Sequence, residues 1–189
     1  MAEVPPFSEL IAATTTSAVH LETRDAYTPD DPIYLGWLAG KPIPEPAMPD
    51  WYELVRTHTA RGVKFRRARV VSEPLAPFIL HEFEMTAGLN VAAGEDVRWL
   101  PRSLAPGLRV PLCDFWVLDN RLVRFGHFAG DGTFLCFRLN SQMLDSRKTV
   151  FHLTKSDEHL LAVKCNRFVK RRLRAFIVRA ITSARKDGK

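Results

Sequence analysis

The stretch Arg61-Gly62-Val63-Lys64-Phe65-Arg66-Arg67-Ala68-Arg69-Val70-Val71-Ser72-Glu73-Pro74 restricts the fold more than any other part of the chain. Gly62 offers the permissive backbone of a helix C-cap, and the β-branched pair Val70-Val71 suits a pleated sheet, so the stretch predicts a strand launched from a helix end. Period-two alternation puts Val63, Phe65, Arg67, Arg69 and Val71 on one face. Lys64, Arg66, Ala68, Val70 and Ser72 fall on the other, so neither face is purely apolar. A strand this basic at its middle needs partners, and they are either carboxylates of the same chain or phosphates of a ligand.

At 189 residues and 46% hydrophobic, the chain has the length for one full domain. A domain of that size buries roughly 70% of its unfolded surface. The net charge of +6 is uneven, because residues 160–189 hold 10 of the 27 Lys and Arg residues and a single acid, Asp187. Basic character therefore belongs mainly to one C-terminal segment. Cys113, Cys136 and Cys165 are odd in number and widely spaced, which argues against a disulfide framework or a zinc site and fits a reducing cytosol. No window approaches the length of an uninterrupted apolar membrane span, and the expectation is a soluble, cytoplasmic protein without metal or cofactor.

Flanking patterns organise the rest. Residues 7–13 have helical spacing and 18–22 read as a short strand closed by the charged quartet Glu22-Thr23-Arg24-Asp25, where ion pairing is the ordinary outcome. Asp31-Pro32 opens a helix that Gly40 stops, and four prolines in residues 41–49 make a helix-free connector. Asp50 is placed to cap a helix through Ala60, and Pro77 opens another that keeps helical spacing to Leu89. Residues 97–101 read as a strand. Two apolar runs, 115–118 and 122–125, flank Asp119-Asn120 as a β-hairpin, and residues 134–139 return as a third strand after Gly130-Asp131-Gly132. Residues 149–153 add an edge strand, Thr154 to Asp157 form a capping box, and a basic amphipathic helix follows over 156–184. The prediction is a single α+β domain over residues 1–155, with a helical part (1–60) and a sheet core (61–155). Its central, mostly antiparallel sheet is flanked by helices, and 156–189 form a basic C-terminal helix.

Common signatures of nucleophile elbows, phosphate loops, dinucleotide folds and zinc proteases are missing, and the six histidines are scattered singly. The densest acid/base cluster is His81-Glu82-Phe83-Glu84, where helical geometry puts His81 and Glu84 on one face and Glu82 elsewhere. Two readings compete for it: a catalytic set of His81, Glu84, Arg67 and Arg69, or a solvated face that neutralises the basic strand. Arg66, Arg67 and Arg69, with Lys164, Arg167, Lys170, Arg171 and Arg174 of the tail, are the candidates for phosphate or nucleic-acid contact.

The runs Leu21-Glu22-Thr23-Arg24-Asp25-Ala26-Tyr27, Trp37-Leu38-Ala39-Gly40, Thr59-Ala60-Arg61-Gly62 and Arg67-Ala68-Arg69-Val70-Val71-Ser72-Glu73-Pro74 resemble an uncharacterised actinobacterial family. So do residues 90–102 and 114–132, and the resemblance covers 7–134 in all. Members of that family are encoded near helix-turn-helix regulators and their small partner proteins. Residues 96–131 further resemble the effector half of regulators with a phospholipase-D-like core, but no histidine here has lysine two positions on, so that fold's His-x-Lys signature is missing. The resemblance implies a non-catalytic accessory or regulatory protein partnered by a helix-turn-helix regulator. The alternatives are a small enzyme acting on a phosphate-containing substrate and a toxin-antitoxin component.

Overall fold

The computed structural model describes residues 4–106 and 113–140. The predicted edge strand at 149–153, the capping box at Thr154 and the basic helix over 156–189 lie outside the described residues. Helix α1 (Phe7–Ala12) leads into strand β1 (Ser17–Glu22), followed by α2 (Pro32–Leu38), α3 (Pro49–Ala60) and β2 (Lys64–Val71). Helix α4 (Pro77–Thr86) widens into a π-helical turn, Ala87–Val91, before β3 (Asp96–Pro101), β4 (Asp114–Leu118), β5 (Leu122–Phe128) and β6 (Phe134–Asn140).

The strands form one sheet in the order β3-β2-β1-β4-β5-β6. Three of the five pairings are antiparallel and two, β1 with β2 and β2 with β3, are parallel. Parallel neighbours need long crossovers, and α3 and α4 supply them. The sheet is therefore mostly antiparallel and flanked by helices, as the sequence predicts. On one face α1 and α3 pack Ile11 and Val55 against Ala18, Phe65 and Trp116, while α4 packs Phe78 and Ile79 near Val71 and Trp99. Leu21, Val70, Leu100, Phe115, Val117 and Val123 form a second buried cluster.

Two local readings need correction. Helix α3 starts at Pro49 with Met48 at its cap position, and no side chain caps it. Asp50 sits in the first turn instead, where its charge meets the helix dipole, and proline takes the position whose missing N–H costs nothing. Regular α4 also stops at Thr86, before Leu89, because the chain widens there. The Glu95 amide then donates to the Asn90 carbonyl at 2.9 Å, and the adjacent Leu89 and Asn90 are both buried.

The hairpin turn is built as its sequence requires. Asp119 and Asn120 have φ of 51° and 52°, left-handed values that Asp and Asn tolerate, and the Arg121 amide donates to the Leu118 carbonyl at 2.9 Å. Gly132 is fixed by a close approach: at φ +93° a Cβ would meet the Ala26 carbonyl oxygen at 2.9 Å. Its own carbonyl accepts from the Thr28 amide at 3.0 Å, which seats the loop bearing Tyr27 against the β5–β6 turn.

The Asp119 carboxylate fastens the hairpin to the start of β1. It accepts from the amides of Thr15, Thr16 and Ser17 at 2.8, 2.7 and 3.0 Å and from the Thr15 and Thr16 hydroxyls. Burial alone raises its pKa, but those donors hold it well below the usual carboxylate range. A depressed folded-state pKa means stabilisation present above the unfolded value and lost as pH falls through the folded one. Asp119→Asn, which keeps the left-handed turn, is expected to lower stability by about 1–2 kcal/mol at pH 7. In urea titrations that difference should shrink progressively below about pH 4.

Candidate functional site

A cleft of about 470 Å³ opens on the helix-covered face of the sheet, lined from β1 by His20 and Glu22, from β2 by Arg67 and Arg69, and from β4 and β5 by Asp114, Trp116 and Arg124. Strand register explains the grouping, since Arg67 pairs with His20, His20 with Trp116, and Trp116 with Arg124 across four neighbouring strands. Residues directly opposite in adjacent strands share a face, so one row places two cations, an imidazole and an indole side by side. Helices and loops add Phe7, Tyr27, Trp51, His81, Glu82 and Asn90 to the walls.

The floor is an ion-pair lattice. Glu22 accepts from Arg67 Nη1 at 2.7 Å through one oxygen and lies 2.8 Å from Arg69 Nε through the other. Glu95 takes Arg67 Nε at 2.9 Å and the Asn90 side-chain amide at 2.6 Å, and Glu82 pairs with Arg69 Nη1. Arg67, Arg69 and Glu95 are 7%, 4% and 2% exposed. Burial opposes the Arg67 charge, yet Glu22 and Glu95 push its pKa above the ordinary value, so it stays a cation. Its guanidinium also lies 5.5 Å from the Trp51 ring and 5.8 Å from Trp116, and that of Arg69 5.0 Å from Trp99.

Other cleft groups are shifted too. His20 stacks on Trp116 with ring centroids 4.1 Å apart and keeps Nδ1 3.4 Å from Glu22 Oε1. Burial, then Arg67, Arg69 and Arg124, drives its pKa well below the usual value, leaving a neutral imidazole. His81 is 1% exposed among Tyr34, Trp37 and Phe78, and neither ring nitrogen has a hydrogen-bond partner among the described residues. Burial lowers its pKa against the opposing pull of Glu82, Asp31 and Glu84. Asp114 accepts from the Tyr27 hydroxyl at 2.5 Å and twice from Thr23 at 2.8 Å. Burial raises the Asp114 pKa despite those bonds, and raises that of Tyr27 further from its usual value.

Arg124 differs from its neighbours. It is 8% exposed, its guanidinium lies 3.4 Å from the Phe137 ring centroid and 4.9 Å from Phe7, and no carboxylate meets it among the described residues. Burial lowers its pKa to about 10, so it remains charged at neutral pH.

Residues 5–150 match the family described as "Domain of unknown function (DUF6879)". The chain belongs to the DUF6879 family. That agrees with the uncharacterised family the sequence resembles. No curated protein matches. Among solved structures the DUF6879 chain is similar to TrmBL2, described as an archaeal chromatin protein with a novel mode of DNA binding, at 10% identity and a TM-score of 0.40. The match covers 78% of this chain and 46% of that one, so the chain spans less than half the length of the structure it matches.

The predicted site residues separate in this DUF6879 domain. Arg67, Arg69 and His81 meet in the cleft, where the two arginines spend their donors on Glu22, Glu82 and Glu95 rather than facing an external phosphate backbone. Glu84 does not line the cleft: it is exposed and accepts from Trp37 Nε1 at 2.9 Å, and Glu82 takes the inward role expected of it. Arg66 lies half-buried outside the cleft lining. Lys164, Arg167, Lys170, Arg171 and Arg174 lie outside the described residues. Sequence reasoning missed His20, Glu22, Asp114 and Arg124 as cleft residues, and Glu95 as the buried acid behind Arg67. Two signals pointed there: His20 and Glu22 share a strand face by spacing, and Arg124 interrupts an apolar strand run. Among the described residues no cluster of three His, Cys, Asp or Glu side chains forms a metal site, and no helix is long and apolar enough to cross a membrane.

Removing one member of a buried pair strands the other. Arg67→Met is expected to cost about 3–5 kcal/mol, because Glu95 loses the cation that compensates it at a buried position. The double variant Arg67→Met/Glu95→Gln should cost clearly less than the sum of its singles in denaturant titrations.

Proposed function

We propose that this domain is a non-catalytic accessory or regulatory module that works with a helix-turn-helix DNA-binding regulator, its cleft serving recognition rather than turnover. The carrying observation is the lattice itself. Glu22, Glu82 and Glu95 are each committed to Arg67 or Arg69, so these acids are matched rather than poised to move a proton. The partner comes from the resemblance to a family encoded beside such regulators. Contact with phosphate or nucleic acid belongs in this reading to cations outside the cleft, Lys164, Arg167, Lys170, Arg171 and Arg174, in the segment where basic residues outnumber acids ten to one.

One observation favours a second reading, a small enzyme acting on a phosphate-containing substrate. His81 faces the cleft with both ring nitrogens unpartnered among the described residues. Turnover of any phosphoester by the purified full chain would replace the first reading with this one.

The full chain mixed with the helix-turn-helix regulator encoded beside it is expected to co-elute in size-exclusion chromatography; separate elution overturns the partner role. In gel shifts at two salt concentrations, replacing the five tail cations by Gln should weaken DNA binding at least tenfold. It should also flatten the salt dependence, by up to about 0.9 in log–log slope per lost phosphate contact. Indistinguishable binding removes the tail from the account.

A further inference from the structure

We infer that the Arg124 end of the cleft is a binding site for a small monocarboxylate with a flat apolar body. The inference rests on the reading of the cleft as a recognition site and names what it recognises.

Charge accounting inside the cleft selects the ligand. Arg67 and Arg69 are matched by Glu22, Glu82 and Glu95, and Asp114 is held by Tyr27 and Thr23. Arg124 is more than nine-tenths buried, lines the cleft, and has neither a carboxylate nor a hydrogen-bond partner for Nε among the described residues. An isolated buried cation is costly, and a bound anion removes that cost. A cationic ligand would be repelled by Arg124, and a neutral one would leave it unmatched. A dianionic or trianionic phosphate would gain one cation and meet repulsion from Glu22, Glu82 and Asp114. Arg124 presents one guanidinium without a described carboxylate, which a monoanion matches one for one, and its planar fork fits a carboxylate through two parallel hydrogen bonds.

The walls select the body. Phe7, Trp51 and Trp116 cluster beside Arg124, with centroids 5.8 Å apart for Phe7–Trp51, 4.9 Å for Phe7–Trp116 and 5.7 Å for Trp51–Trp116. Phe137 closes the other side over the guanidinium. Aromatic faces favour planar, apolar partners in offset or edge-on contact. The volume, about 470 Å³, falls within the range of about 300–1,000 Å³ that suits small organic ligands.

Isothermal titration of the full chain with 1-naphthoate, indole-3-acetate and 3-phenylpropionate, each against its primary amide, and with inorganic phosphate, tests the site. At least one acid should bind, its amide at least tenfold more weakly, with phosphate unable to displace it. Arg124→Gln should reduce affinity for that acid at least tenfold and Arg124→Lys should retain part of it. The wild-type comparison of acid with amide needs no variant to fold. Failure of all three acids, equal binding of acid and amide, displacement by phosphate, or an unchanged affinity in a folded Arg124→Gln protein overturns the site. Absence of acid binding with co-elution of the regulator intact would end this inference and leave the partner role standing.

Discussion

Glu22 holds two guanidiniums of the neighbouring strand at once, and the arrangement of the cleft follows from that contact. Arg67 and Arg69 are two residues apart on one face of β2, a separation of roughly 6–7 Å, so their charges repel across a region from which water is largely excluded. Strands between two parallel neighbours are usually continuous apolar runs, because both faces are covered. β2 occupies that position and still carries two arginines, since β1 supplies Glu22 beside them and the π-turn and α4 bring Glu95 and Glu82 from above. A one-residue slip of β1 against β2 would send His20 and Glu22 to the opposite face and leave both arginines without the shared acid. The lattice therefore specifies register as well as filling space.

The widening of α4 belongs to the same constraint. Leu89 and Asn90 are neighbours within it. The π-turn buries them together, and Asn90 reaches the second oxygen of Glu95. Glu95 thereby has both oxygens engaged at 2% exposure, the condition under which a buried carboxylate is tolerated.

The parts legible in the sequence were those set by local chemistry. The alternation of β2, the Asp31-Pro32 opening of α2 and the Asp119-Asn120 turn each depend on residues within a few positions of one another, and each stands as read. Asp31 accepts from the Ile33 and Tyr34 amides, as a cap should. That Arg67 and Arg69 share a face was legible too, but which way that face points and what meets it were not: Glu22 is 45 positions from Arg67 and Glu95 is 28, and no local rule links them. His81 with Glu84 followed from regular helix spacing. Arg69, reaching across from β2, selects Glu82 instead, and Trp37 of α2 draws Glu84 to the rim. The cleft was invisible because it exists only where four strands align their rows.

The contact between His20 and Glu22 has the form of a histidine held by a carboxylate, and its surroundings oppose a proton on the ring. A carboxylate that orients a histidine base stabilises the imidazolium as it forms. Glu22 has that charge shared between two guanidiniums, so little remains to favour a proton on His20. Arg67, Arg69 and Arg124 add direct repulsion to the burial that already lowers the imidazole pKa. The ring is also stacked flat on Trp116, which fixes its plane and covers one face. A base must gain a proton in the transition state, and the Arg124 charge, which no described carboxylate matches, opposes that gain. The same unmatched cation that suppresses basicity, Arg124, is the one that the proposed anionic guest would neutralise.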